Sequence, residues 1–223
     1  MDIPLFSEYG VNYLVRWGHL LFGIVWIGLL YYFNFVQTEY FKEADADHRS
    51  GAIQKLVPRA LWWFRWGAAF TFLTGLYLLY RLHGAMTYDI TVGATLGTLM
   101  AFNVWFIIWP NQKIVIASAT QVAGGGEALP EAATAAPKAG LASRTNTLFS
   151  IPMLFFMGSS AHLPSGMVTD EMAASTVSLV AVFAIILLLQ VNAIRGKQGP
   201  MTSVVGVIHC GLGLTAVLYG CMH

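Results

Sequence analysis

Charge is what this sequence has least of. Only 10% of its 223 residues are Asp, Glu, Lys or Arg, and the net charge is +1, where soluble domains carry about a quarter charged residues. A near-neutral chain lacks the electrostatic footprint that nucleic acid requires, so no nucleic-acid partner is expected. Cysteine is almost absent too. Cys210 and Cys221 stand alone in one apolar segment, separated by roughly 16 Å if it is helical, which is beyond the reach of a disulfide. They read as small packing residues. No Cys-x-x-Cys-His occurs, which excludes a c-type haem attached to this chain. The opening Met1 to Gly10 carries Asp2 and Glu8 but no Lys or Arg. It lacks the basic start of a signal peptide, so the first apolar helix is expected to be retained. No phosphate loop, nucleotide fingerprint, zinc-type cluster or nucleophile motif is visible.

What fills the space is apolar. Hydrophobic residues make up 57% of the chain, and long uncharged apolar runs are membrane spans. Six are predicted, at about 14–36, 61–81, 91–110, 145–164, 172–194 and 202–222. The fold class is therefore all-α: a polytopic integral membrane helix bundle of about six transmembrane helices, forming one domain over 1–223. Trp62, Trp63 and Trp66 suit a membrane–water boundary. Gly93 and Gly97 form a small-xxx-small face for close helix packing. The fourth span is the most polar, with Arg144, Asn146, Pro152, Ser159, Ser160 and His162, as expected of a helix facing the bundle interior. The fifth, rich in Val, Leu and Ile, looks lipid-facing. The stretch from about 118 to 141, rich in Ala, Gly and Pro, reads as a flexible connection.

Basic residues set the orientation. The first loop holds Lys42, Arg49, Lys55 and Arg59, the third Lys113, Lys138 and Arg144, and the fifth Arg195 and Lys197. The second loop has only Arg81 and the fourth none. The odd-numbered loops then face the cytoplasm and both termini face outward, which in a bacterial inner membrane is the periplasm.

The histidines carry the candidate chemistry, because an ionisable group in hydrocarbon is costly and marks function by default. On the first helix Asn12, His19, Gly23, Trp26 and Leu30 share one stripe. Gly23, one turn from His19, leaves room for a flat ring, and Arg16 could pair with a carboxylate such as a haem propionate. A histidine bonded to a neighbouring helix, with Arg16 snorkelling to the interface, explains the same residues. His162 tips the balance. Gly158 precedes it by one turn, so two antiparallel helices each place a histidine at the outer side with a glycine one turn deeper. Two imidazoles at similar depth on facing helices can clamp one b-type haem iron, His19 from one side and His162 from the other. The alternative for His162 is a cap on the helix end before Pro164. His209, inside the sixth span near Gly206, Gly211 and Gly213, is the next candidate, for a second haem or for substrate. His83 and His223 lie at the outer boundary, and His48 lies in a charged loop.

These residues resemble a family. Trp17-Gly18-His19 followed by Gly23-Ile24-Val25-Trp26-Ile27-Gly28 is similar to the first helix of the membrane domain of bacterial membrane-bound urate hydroxylases, the urate oxidase N-terminal domain. So are Trp63-Phe64-Arg65-Trp66 leading to Thr74-Gly75, Asn103-Val104-Trp105-Phe106 through Trp109-Pro110-Asn111-Gln112-Lys113, and Arg144-Thr145-Asn146 through Pro152-Met153-Leu154-Phe155-Phe156-Met157 to His162. The resemblance implies an integral membrane oxidoreductase passing electrons to a cytochrome c on the outer face. Family members commonly carry that cytochrome as a C-terminal domain, which this chain does not contain. A separate cytochrome c or another redox subunit is then the expected partner. The first two helices also resemble the short, haem-dependent membrane protoporphyrinogen oxidases.

Three functions follow as expectations. One is an electron-transfer protein holding haem b at His19 and His162 and exchanging electrons with a cytochrome c or a quinone. Another is an enzyme oxidising a flat heterocycle such as urate, with Arg144, Asn146 and His209 as polar contacts. The last is a non-catalytic accessory or scaffold subunit of a larger membrane complex, with lipid around it and histidines that only hydrogen-bond.

Overall fold

The computed structural model describes residues 4–163, 165–166 and 176–222. Pro164, His223 and the first residues of the expected fifth span, 172–175, lie outside the described residues. Among the described residues there is no strand.

Helix α1 (Glu8–Tyr31) starts where Ser7 accepts a hydrogen bond from the Gly10 amide at 3.2 Å, a serine N-cap with an acid in the first turn. It runs through a π-helical segment, Tyr32–Gln37, into α2 (Thr38–Glu43). Short α3 (Ala46–Lys55) follows, then α4 (Val57–Arg81) with Pro58 in its first turn. Helix α5 (Tyr88–Phe102), capped by Thr87, passes through a second π-helical segment, Asn103–Ile108, into α6 (Trp109–Ala123). Helices α7 (Ala132–His162), α8 (Thr176–Arg195) and α9 (Val204–Met222) complete the chain.

Among the described residues, four stretches are long and apolar enough to cross a membrane: Glu8–Glu43, Tyr88–Ala123, Val177–Arg195 and Val204–Met222. Helix α4 is long enough, at roughly 37 Å, and so is α7, at roughly 46 Å, but both are more polar. The reason is position. Helix α7 packs on α1, α5, α6, α8 and α9, so its polar residues meet protein rather than lipid. The expectation that the fourth span faces the interior is met there: Arg144, Thr145, Asn146, Thr147, Ser150 and Ser159 are all buried.

The flexible connection expected over 118–141 is corrected. Residues up to Ala123 and from Ala132 are helical, leaving only a short turn between them. Alanine is the best helix former, and Ala135, Ala139 and Leu141 are buried. The Ser118 hydroxyl also accepts the Leu129 amide at 3.0 Å, tying the turn down.

Small residues set the two closest crossings. Along α4, Gly67, Thr71 and Gly75 recur every four residues and face α1. A Cβ at Gly67 would stand 3.2 Å from the Trp26 amide nitrogen and 3.3 Å from the Phe22 carbonyl oxygen. The Gly93 face predicted from sequence packs on α7, where a Cβ would lie 3.2 Å from the Met157 nitrogen. Both neighbours are backbone and cannot yield. Gly67→Leu is therefore expected to lower stability by about 1–3 kcal/mol, read as thermal unfolding in detergent. Gly28→Ala, where nothing lies within 4 Å, should leave the transition unchanged or raise it.

An aromatic belt joins α4 to the α5–α6 rod. Trp62 and Trp63 meet edge to face, Trp66 meets Trp105 likewise at 5.5 Å, and the Arg65 guanidinium carbon stands 3.8 Å above the Trp109 ring. Exposed tryptophans beside cations have the composition of a membrane–water boundary. At the opposite end the Asp89 carboxylate is fully buried. It accepts Ser159 Oγ at 2.6 Å and the Ser165 amide at 2.7 Å, while Thr87 and Ser160 share a hydrogen bond at 2.8 Å.

Candidate functional site

The site grows from two asparagines, each at a π-helical segment. Asn34 donates to the Leu30 carbonyl at 2.9 Å and to Ser143 Oγ at 2.8 Å. Asn103 donates to Asn146 Oδ1 at 2.8 Å and to Gln190 Oε1 at 3.0 Å, and Gln190 Nε2 returns a bond to Asn103 Oδ1 at 2.6 Å. Asn146 in turn donates to the Met100 carbonyl at 3.0 Å. Tyr31 and Ser150 share a bond at 3.0 Å. Three long helices, α1, α5 and α8, thus meet α7 in one buried polar layer. An extra residue per turn is what a π segment supplies, and such segments often mark functional positions.

Arg144 stands in that layer. It is 3% exposed, and its Nη1 has no hydrogen-bond partner. Glu39 lies within electrostatic range, but both Glu39 oxygens are held by Lys42 Nζ at 2.8 Å. Gln37, at the end of the first π segment, also has a buried, unpartnered Oε1. A guanidinium buried without a counter-ion is costly and is the group best shaped to take a planar anion in two parallel bonds.

The predicted site residues divide into three places. Arg144 and Asn146 are together, within the polar layer. His209 is not with them: it is exposed on α9, and its Nδ1 bonds the Val205 carbonyl of its own helix at 2.8 Å. His19 and His162 share a level but not a flank. Helices α1 and α7 are antiparallel through the Asn34–Ser143 and Tyr31–Ser150 bonds. Counting from Asn34 back to His19, and as far forward from Ser143, arrives at Gly158, one turn before His162. The flank differs because Ser143 and Ser150 face α1, whereas His162 falls in line with Ile151 and Phe155. Those two meet Gly211 and Tyr219 of α9. His162 is exposed, and Gly158 opens onto empty space. About 21 Å of α7 separates the Arg144 level from the Gly158 level.

His19 turns toward α4. Its Nδ1 lies 3.0 Å from Thr74 Oγ1, and that hydroxyl already donates to the Phe70 carbonyl at 2.6 Å. Thr74 has one proton to give, so His19 Nδ1–H is the donor, and Nε2 keeps its lone pair. Gly75 makes room for the imidazole itself, since a Cβ there would stand 3.2 Å from His19 Cε1. A Cβ at Gly23 would meet only Thr71, at 3.9 Å. Arg16 is exposed at the same end. A metal-ligating histidine has this arrangement, with one ring nitrogen tethered and the other available. These residues fit a haem held from one side by His19. They do not present His162 across from it.

Sequence reasoning missed Asn34, Gln37, Ser143 and Gln190. The available signal was a polar side chain inside an apolar span, and Gln190, in a span read as lipid-facing, was the plainest case. Among the described residues no cluster of three or more His, Cys, Asp or Glu could hold a metal ion.

The model of a protein family described as urate oxidase N-terminal matches residues 82–218. No curated protein and no solved structure matches the chain. The matched stretch contains Arg144, Asn146, His162 and His209 with the Asn103–Gln190 network, while His19 precedes it.

Proposed function

The chain belongs to the urate oxidase N-terminal family, and from that premise we propose that it is a membrane-bound redox protein related to urate hydroxylase. In this reading it binds a flat anionic heterocycle of the urate kind at Arg144 and delivers electrons to an external cytochrome c. The observation that carries it is the buried Arg144 guanidinium with Nη1 unpartnered. A urate-like anion is planar, with carbonyl acceptors and ring N–H donors. Arg144 neutralises its charge and takes its acceptors, and the unpartnered Gln37 Oε1 offers an acceptor for a ring N–H. The Asn103–Asn146–Gln190 bonds hold α5, α7 and α8 in register, so the polar layer around Arg144 is set before the ligand arrives.

Haem b, when bound, would supply one-electron redox chemistry. This chain's part would be to hold it: Nε2 of His19 would be the ligand, Thr74, 3.0 Å from Nδ1, would fix the ring, and Arg16 would be the cation for a propionate. With the basic loops in the cytoplasm, His19 lies near the periplasmic side of a bacterial inner membrane, where a cytochrome c or another redox subunit collects electrons.

The test is an absorption spectrum of the purified protein in detergent, oxidised and dithionite-reduced, with a pyridine haemochrome assay, followed by anaerobic urate. A b-type α-band that urate develops without dithionite supports the reading. His19→Ala is expected to lose the haem while the protein still folds, judged by its thermal transition; unchanged haem content ends that assignment. A colourless protein, expressed with haem supplied, turns the reading to an accessory subunit.

A further inference from the structure

We propose that the groove between α8 and α9 binds an anionic phospholipid, with one acyl chain along the groove and the phosphate at Lys197. The groove is a cavity of about 700 Å³. Its walls are apolar: Ile185, Leu188 and Leu189 from α8, Leu148 from α7, Cys210 and Leu214 from α9. Lys197 and Gln198 stand where α8 turns toward α9. The groove opens onto the α8 surface, where Leu187, Leu188 and Val191 are more than half exposed. In a membrane-spanning helix that surface faces hydrocarbon.

Charge decides the occupant. Residues 176–222 contain Arg195 and Lys197 but no Asp or Glu, and neither cation makes an ion pair among the described residues. The other polar groups at the mouth are mostly committed. Asn192 donates to the Lys197 carbonyl at 3.1 Å and accepts the Lys197 amide at 3.3 Å, so its side chain closes the turn through the Lys197 backbone and leaves the exposed lysine side chain uncommitted. What remains is a cation beside one amide, at the end of an apolar slot. That combination takes a phosphate with an attached chain in preference to the neutral carbonyl head of a quinone. The groove reaches α7 at Leu148, one turn from Arg144, but it uses neither Arg144 nor His19, and the proposal stands whether or not the redox reading does.

The test is titration of delipidated protein in detergent with phosphatidylglycerol and with phosphatidylcholine of identical chains, read by native mass spectrometry. Phosphatidylglycerol is expected to be retained about fivefold more strongly, the weight of one lysine at an anionic surface. Lys197→Gln should erase that preference. Leu188→Trp, an exposed position that puts an indole into the slot, should weaken both lipids. Thermal transitions matching the parent protein would confirm that both variants fold. Equal retention of the two lipids by the parent protein overturns the proposal. So does a preference that survives Lys197→Gln, or binding indifferent to Leu188→Trp. Displacement of phosphatidylglycerol by a neutral prenylquinone at equal concentration would assign the groove to the quinone instead.

Discussion

Arg144→Ala should remove binding of a urate-type anion and leave the fold at least as stable as before. The two halves of that result come from one fact. The guanidinium is 3% exposed and its Nη1 is unpartnered, so in the free protein it carries a desolvation cost with little return. Truncation relieves that cost and opens a cavity of modest size, and the two roughly offset. With the anion present, the same group makes charge-assisted bonds of about 1.5–3 kcal/mol each. Losing two of them weakens binding at least roughly a hundredfold. Arg144→Lys keeps the charge but not the fork, and should recover only part of the affinity. Calorimetric titration of urate in detergent, paired with thermal unfolding, reads both halves. Normal binding by Arg144→Ala would remove the substrate site from this position. A collapse in stability would show that the guanidinium is a structural partner.

How much of this was legible in the sequence depends on what a linear pattern can carry. Depth is carried well. The sequence placed His19 and His162 at one end of antiparallel helices, and the Asn34–Ser143 pairing returns them to one level. It placed Arg144 at the other end, and so it lies. Flank is not carried, because it depends on which helix stands beside which. Nothing in the chain states that α1 packs on α4, so the close approach of Gly75 to the His19 ring was not legible. Nor was it legible that Gly23, read as leaving room for a flat ring, faces Thr71 across that interface. The same ignorance hid the turn of His162 toward α9. The interior position of α7 was legible, because polar residues in a span have few other places to go. The π-helical segments were not, since no local preference distinguishes Tyr32–Gln37 or Asn103–Ile108 from an ordinary turn. Their tertiary bonds go with them, and only the folded chain shows that Asn34 and Asn103 have partners to reach. The stretch around 118–141 failed for a simpler reason. Its glycines and prolines signalled a loop, while its alanines, buried against neighbours, made helix.

Asn103→Leu is expected to be the most destabilising single change in the polar layer. It deletes three buried bonds at once, to Asn146 and twice to Gln190. It also leaves the buried Gln190 amide without a partner, at the end of the apolar run 179–189. At about 1 kcal/mol per bond, with the desolvation of orphaned groups added, the loss is roughly 2–4 kcal/mol. That lies near the top of what single substitutions do outside the packed core. The asymmetry of a broken pair supplies the sharper test. Gln190→Leu alone should also destabilise, by somewhat less, because Asn103 keeps its bond to Asn146. In Asn103→Leu/Gln190→Leu no Gln190 orphan remains and two leucines replace the pair, so the double variant should be more stable than Asn103→Leu alone. Thermal unfolding of the four proteins in one detergent measures the cycle. If the two losses simply add, the amides are not coupled, and the register of α8 against α5 is set by the apolar contacts around Val182 and Ile186, both fully buried. If the double variant recovers stability yet loses urate binding, the pair is kept for the helix register it imposes on the layer that holds Arg144.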